Sequence, residues 1–305
     1  MRPLSQLSLR PILISCLMAS LACLSSGQNA TPTPDAWKDV EQAIGRPGQV
    51  QPGDVIKFAM PRKDLHVTLD GVAIKPGLAL GSWVAFARHG NEAMVMGDLV
   101  LTEDEVAPVM ASLQKAGVHE AALHNHLLGE SPHVLYMHLA SHGDAVQMAK
   151  AIHDAVALTK TPGPDSSPAS QAPADLGFDQ KRVEQALDRT GKVNGGILQF
   201  SVPRAEQITD SGMTVPPSMG VATAINFQPT SAGKAAITGD FVLLGSEVNE
   251  VIKALTDNGI KVTALHSHML TEQPRLFFMH FWANDDAVKL ATGLHAALEK
   301  TNSGR

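Results

Sequence analysis

The residues in this chain best suited to chemistry are three histidines on one short hairpin, and that hairpin occurs twice. The stretch ALHNHLLGESPHVLYMHLASHGDAVQMAKAIH, residues 122–153, returns 142 residues later as ALHSHMLTEQPRLFFMHFWANDDAVKLATGLH, residues 264–295, without a gap. His124, His126, Glu130, Pro132, Met137, His138 and His153 reappear as His266, His268, Glu272, Pro274, Met279, His280 and His295, so eight of the 13 histidines form four matched pairs. Alternate residues of a strand share a face, which points His124 and His126 the same way about 7 Å apart. A hairpin closed about Ser131 sets His138 opposite His124 on that face. Three converging imidazoles beside a carboxylate suit zinc, copper, nickel, iron or manganese. The expected metal ligands are therefore His124, His126 and His138, with His266, His268 and His280 in the second copy. Glu130 and Glu272 are the carboxylates of the motif and the candidate general bases for a metal-activated water. On an ideal strand Glu130 lies about 13 Å from His126, so that role needs the chain to bend at Glu130-Ser131-Pro132.

The order His-x-His-x3-Glu resembles the first metal motif of cupins. The resemblance covers only that spacing, and the later cupin histidine motif is not apparent. A competing reading makes the histidines a hydrogen-bonded structural cluster. His153 and His295 border apolar helical stripes and are read as packing. His66, His89, His119, His133 and His142 have no partner in the other half and receive no role. Met137 and Met279 fall on the opposite face, with Leu123, Leu127, Leu135, Leu139, Leu265, Met269, Phe277 and Phe281, which is read as core. Asp98 and Asp240 sit in matched Gly-Asp pairs and are read as shaping a bulge or turn, with a role as acids near the site as the second reading.

Other chemistries are missing from the sequence. There is no phosphate-cradling glycine loop, no G-x-S-x-G elbow and no cysteine nucleophile outside the first thirty residues. A net charge of -6 without a basic run argues against nucleic acid as a partner. Arg2 and Arg10 precede an apolar run, Pro11 to Leu24, and then small and polar residues, the pattern of an export signal too short to span a bilayer. Residues 1–30 are therefore expected to be removed, leaving a periplasmic or secreted protein without a transmembrane helix. Lipid attachment at Cys23 is the alternative. Cys16 and Cys23 are the only cysteines, so a mature chain has no internal disulfide.

The elements around the hairpin follow from pattern. Asp35 caps a helix bearing Trp37, Val40 and Ile44, matched near 178–189 by Val183, Ala186 and Leu187. Val55–Met60 and Ile197–Val202 read as strands ended by proline. Residues 64–75 and 206–216 are weaker strand candidates. Trp83–Ala87 with Ala93–Leu101, and Val221–Phe227 with Ala235–Leu244, read as strand pairs. Thr102-Glu103-Asp104-Glu105 is a capping box opening a helix with Val106, Val109, Met110 and Leu113, twinned by Val248, Val251, Ile252 and Leu255. A last helix covers about 143–158, its stripe of Ala145, Ala149, Ile152 and Val156 repeated as Ala287, Ala291, Leu294 and Leu298. The Pro- and Ser-rich residues 161–177 form a linker. The result is an α+β chain of two tandem units, 31–160 and 178–305, each with an antiparallel sheet, a histidine hairpin and flanking helices. One continuous sheet crossing both units is compatible with the pattern.

The repeated unit resembles the LppY/LpqO-type domain, family 1259 of the domains of unknown function. The matching residues are the G-D-[LF]-V-L strand at Gly97 and Gly239, the E-V-x-x-V helix at Glu105 and Glu247, and A-L-H-x-H-x-L-x-E-x-P with the following M-H. The likeness spans residues 36–160 and 178–301, departing at 206–218, and implies an exported bacterial protein with tandem copies and no defined reaction. The leading expectation is a two-domain envelope protein that binds a divalent transition metal. A metal-dependent hydrolase or cupin-like enzyme on the same residues is one alternative. A module that binds a small-molecule or envelope ligand without metal is the other.

Overall fold

The computed structural model describes residues 35–164 and 175–303. The expected export segment with Cys23 lies outside the described residues, as does the middle of the expected linker. The first repeat runs α1 (Asp35–Ile44), β1 (Gln49–Gln51), β2 (Val55–Pro61), β3 (Thr68–Leu69), β4 (Val72–Ala73), α2 (Pro76–Ala79), β5 (Gly81–His89), β6 (Glu92–Leu101), α3 (Glu103–Lys115), β7 (Glu120–His124), β8 (Leu135–Gly143) and α4 (Ala145–Val156). The second runs α5 (Gln180–Leu187), β9 (Lys192–Asn194), β10 (Ile197–Pro203), β11 (Thr209–Asp210), β12 (Met213–Thr214), a 3-10 turn at Pro217–Met219, β13 (Ala222–Ser231), β14 (Lys234–Leu244), α6 (Val248–Asp257), β15 (Lys261–His266), β16 (Leu276–Asp286) and α7 (Ala287–Leu298). Among these helices none is long and apolar enough to cross a membrane.

Each repeat builds its own six-stranded antiparallel sheet, ordered β1-β2-β5-β6-β8-β7 and β9-β10-β13-β14-β16-β15. Among the described residues no single sheet crosses the pair. Strand alternation shows how the layers stack. On β6, Ala93, Val95, Leu99 and Leu101 pack with Trp37, Val109 and Ile152 of the helices. The intervening Met94 and Met96 pack instead with Ile208, Val215 and Met219 of the second repeat. On β14, Ile237 and Phe241 likewise meet the helices, while Ala236 joins the core that holds Leu69 and Leu78 of the first repeat. The order is helices, sheet, sheet, helices, with the two inner sheet faces turned towards each other.

The weak strand candidates are arms. Residues 64–80 and 206–221 leave their own sheets, fold as the ribbons β3-β4 and β11-β12, and pack on the inner face of the other repeat. Gln228 Nε2 donates to Ala73 O at 2.7 Å while its Oε1 accepts from Lys75 N–H at 2.8 Å, and Trp282 Nε1 donates to Asp70 at 3.0 Å. The Gln228 bonds satisfy backbone groups of the ribbon, and the Trp282 bond ties its indole to the Asp70 carboxylate.

A second matched device locks each unit. Pro61 and Pro203 end their strands, and the next residue is a buried arginine. Arg62 donates to Glu105 at 2.6 Å, to Val100 O at 2.7 Å and to Asp64 at 2.8 Å. Arg204 does the same to Glu247 at 2.7 Å, Val242 O at 2.7 Å and Glu206 at 2.9 Å. Glu105 also accepts from Thr102 N–H at 3.0 Å and Lys160 N–H at 2.9 Å, so the glutamate of the capping box ties the start of α3 to the end of its repeat. Glu247 accepts equivalently from Leu244 and Asn302. Removing one partner of such a pair strands the other charge. Arg62→Met is expected to lower unfolding free energy by about 3–5 kcal/mol in urea titration, as for other broken buried pairs. A loss below about 1 kcal/mol, the scale of exposed pairs, would show that the pair is solvated.

Candidate metal centre

The two histidine hairpins meet between the inner faces of the sheets. Asp98 of β6 lies directly opposite His138 of β8, and Asp240 of β14 opposite His280 of β16. The hairpin register differs from simple closure about Ser131. The hairpin closes about Glu130, which puts His138 across from Ala122 and His124 across from Tyr136, with a bulge farther from the turn between Glu120 and Ala122. The second copy closes likewise about Glu272, with its bulge between Val262 and Ala264. His124 and His138 still share a face as diagonal neighbours, with their Nε2 atoms 2.9 Å apart. His126 and His268 lie past the ends of β7 and β15, where His126 stacks on Tyr136 at 3.4 Å and His268 on Phe278 at 3.5 Å between ring centroids.

All six expected histidines come together, and they form one cluster rather than two. The rings interleave across the repeat axis: His124 on His266 at 3.6 Å, His126 on His280 at 3.7 Å and His138 on His268 at 3.9 Å. Thr263 Oγ1 donates to His126 O at 2.6 Å and pins one loop to the opposite edge strand. Asp98 reaches His126 Nε2 at 3.5 Å and His138 Nε2 at 4.0 Å. Asp240 reaches His268 Nε2 at 3.1 Å and His280 Nε2 at 3.9 Å.

The Gly-Asp pairs have a role that the sequence reading undervalued. There is no bulge at either glycine. Gly239 is required because a Cβ there would sit 1.9 Å from Ala224 O of the neighbouring strand, and at Gly97 it would strike Val84 and Trp83 O. The Gly239 carbonyl accepts from His280 Nδ1 at 2.6 Å, and Gly97 accepts from His138. Each pair thus fixes one histidine by its glycine carbonyl and faces the other nitrogen with its aspartate. Such an outer bond sets tautomer and ring orientation in metal-ligating histidines.

Glu130 and Glu272 are buried but turn elsewhere. Glu272 accepts from Leu276 N–H at 2.9 Å and from Arg275 at 3.2 Å, and Glu130 from Val134 N–H at 3.5 Å. They brace the hairpin loops, whose Ser131-Pro132 and Gln273-Pro274 bonds are cis, and neither belongs to a group of convergent ligand atoms among the described residues. Leu123 and Leu265, read as core, are 42% and 47% exposed because β7 and β15 are sheet edges. His153 and His295 contact the carbonyls of Ile44 and Leu187 that end α1 and α5. His142 instead faces Asp210 of the second repeat's arm at 3.5 Å.

Electrostatics favour the neutral form of five imidazoles, His124, His126, His138, His266 and His280. Burial, then the charges of neighbouring imidazoles, pushes His126 and His138 well below the ordinary histidine range, and His266 likewise. The same causes bring His124 down to about 4. Burial lowers His280 against the pull of Asp240. Burial and the charge of Asp240 raise Asp98, with Lys57 opposing. Burial acts upward on Asp240 as well, but His280 and His268 outweigh it and hold the carboxyl low. Lys57 itself falls to about 8 through burial, and Gln199 stands in its place in the second repeat. Neutral imidazoles offer a lone pair each, the form a metal takes. Among the described residues, Asp98 Oδ1, Asp240 Oδ1, the Nε2 atoms of His126 and His280, and both nitrogens of His266 are buried without a hydrogen-bond partner. Native proteins rarely leave buried polar atoms so.

These shifts carry a sign. Histidines whose folded values lie below 6.5 bind fewer protons in the folded than in the unfolded chain, so stability is complete above 6.5 and declines as pH falls towards about 4. The raised Asp98 works the other way, one group against five. Metal-free protein is expected to lose urea resistance between pH 6.5 and 4, and a flat profile there would mean that the imidazoles are solvated. Gly239→Ala is expected to cost about 1–3 kcal/mol, the scale of overpacking, in the same titration. An unchanged midpoint would show that β13 and β14 can separate freely.

The sequence model of a family described as a domain of unknown function, DUF1259, matches residues 38–158 and again 181–300. The chain belongs to that family and carries two copies of its domain. No curated protein matches. Among solved structures, the crystal structure of a trimeric bacterial microcompartment shell protein, PduB, is 12% identical over 82% of this chain and 87% of that one, with a TM-score of 0.21. That likeness bears on neither fold nor function.

Proposed function

We propose that this tandem DUF1259 chain is a metal-binding protein of the cell envelope, its two repeats folding around one shared centre for a divalent transition metal. The observation that carries the reading is the set of buried, unpartnered ligand atoms on His126, His266, His280, Asp98 and Asp240. Burying polar atoms without partners costs about 1–3 kcal/mol each, and a coordinated cation removes that cost. Imidazole with carboxylate suits zinc, copper, nickel, iron or manganese and disfavours magnesium or calcium, which take mainly oxygen ligands. His124, His126, His138, His266, His268 and His280 act as ligands, and Asp98 and Asp240 supply the negative charge that offsets the ion. Glycine carbonyls 97 and 239 orient two of the rings. Export is proposed from the apolar run behind Arg2 and Arg10.

Elemental analysis of protein purified without chelators or a histidine tag tests this. Stoichiometric metal is expected in the wild type and near-complete loss in a folded His124→Ala/His126→Ala/His266→Ala/His268→Ala variant. Absence of metal from the wild type, even after incubation with each of the five ions, would refute the proposal. Asp98→Asn/Asp240→Asn keeps the shape and removes the charge. It is expected to weaken affinity at least tenfold in competition with a chromophoric chelator, whereas unchanged affinity would make the carboxylates bystanders.

A further inference from the structure

The six histidines do not fall into two independent sets. Three groups of convergent ligand atoms exist among the described residues: His124, His266 and His280; His124, His126 and His138; and His138, His266 and His268. Any two of these groups have one histidine in common. The first and second share His124, the second and third share His138, and the first and third share His266. Two ions can therefore be held at once only if the shared ring binds one with each nitrogen.

Two of the shared rings have a nitrogen already engaged. His124 Nδ1 lies 2.9 Å from Asn125 O. His138 is bonded to the Gly97 carbonyl while its Nε2 faces His124. His266 differs, since its Nδ1 and Nε2 are both buried and both without a partner. Its pseudo-symmetric mate His124 has the backbone bond that His266 lacks, so the difference belongs to this ring and not to the motif. Eight potential donors, six imidazoles and two carboxylates, also exceed the four that a closed zinc-type site uses.

We infer that the centre takes two transition-metal ions, one with His124 and His280, the other with His138 and His268, and that His266 bridges them. The inference rests on the metal-binding reading above. On binding the second ion His266 gives up its remaining N–H proton to solvent and becomes an imidazolate. No electron changes hands, and one proton is released. Asp240, which contacts both His280 and His268, lies between the two positions and balances part of the added charge.

Copper(II) is the probe, because it binds nitrogen sites tightly and reports coupling by its unpaired electron. Metal-free full chain is titrated with copper(II) while electron paramagnetic resonance counts spins. The expected result is two coppers per chain, with the spin signal rising to one equivalent and then falling as the second ion couples through the bridge. His266→Gln is expected to hold one copper with its full spin. Two coppers whose spins simply add, one copper in the wild type, or a folded His266→Gln that still couples two ions would each overturn the bridge while leaving a metal site standing. No copper bound at all would remove the metal reading itself. The wild-type spin count decides the matter without the variant, should His266→Gln fail to fold.

Discussion

Two sheets can bury a face against each other only if what lies between them is apolar or neutralised. Here that space holds six imidazoles and two carboxylates, stacked across the repeat axis at ring separations from 3.6 to 3.9 Å. Protonated rings at those distances would repel one another in a medium that screens poorly. The rings are therefore driven towards the neutral form, which leaves nitrogen lone pairs aimed inward with nothing to accept. The surrounding structure answers that constraint. Arms 64–80 and 206–221 seal the flanks with apolar side chains, the glycine carbonyls fix the rings, and the arginine–glutamate pairs anchor the helices behind the sheets.

Duplication makes the arrangement, and small departures from it make the halves unequal. Lys57 approaches Asp98 and opposes its rise, whereas Gln199 in the same place spends its amide on Gly77 O at 3.3 Å. Asp98 is pushed up and Asp240 held low, so the two carboxylates of one pseudo-symmetric pair differ in charge at a given pH. His126 rests on Tyr136, whose hydroxyl donates to Ala79 O at 2.8 Å, and His268 rests on Phe278. A symmetric scaffold thus presents an asymmetric set of donors.

The fold was legible where periodicity was strong. The stripes of α3, α4, α6 and α7 and the paired strands β5-β6 and β13-β14 follow directly from their apolar spacing. The 64–75 and 206–216 segments were legible only as weak strands, because they pair in no six-stranded sheet and their side chains pack between the repeats against both. Arg62 and Arg204 follow a proline in identical Pro-Arg pairs, a repeat signal that a reading centred on strands passes over. The six histidines were legible as donors, but not as a single centre. A strand pattern gives the face that a side chain occupies and says nothing of which surface meets that face. The reading of Asp98 and Asp240 as bulge residues failed for a related reason: a glycine in a strand marks either a bulge or a close neighbour, and only β5 and β13 show which. Glu130 and Glu272 stood nearest to the histidines in sequence, yet their carboxylates bond the loop backbone, as the reach of an extended chain would require.

The central claim is that donors from both repeats hold the same metal. Anomalous scattering from crystals grown with zinc(II) or copper(II), recorded on either side of the metal absorption edge, tests it most directly. The account predicts anomalous density between the two sheets, within bonding distance of at least one histidine of each hairpin. Density confined to the surface, or ions held by one repeat alone with the other hairpin's imidazoles bonded to water, would contradict it.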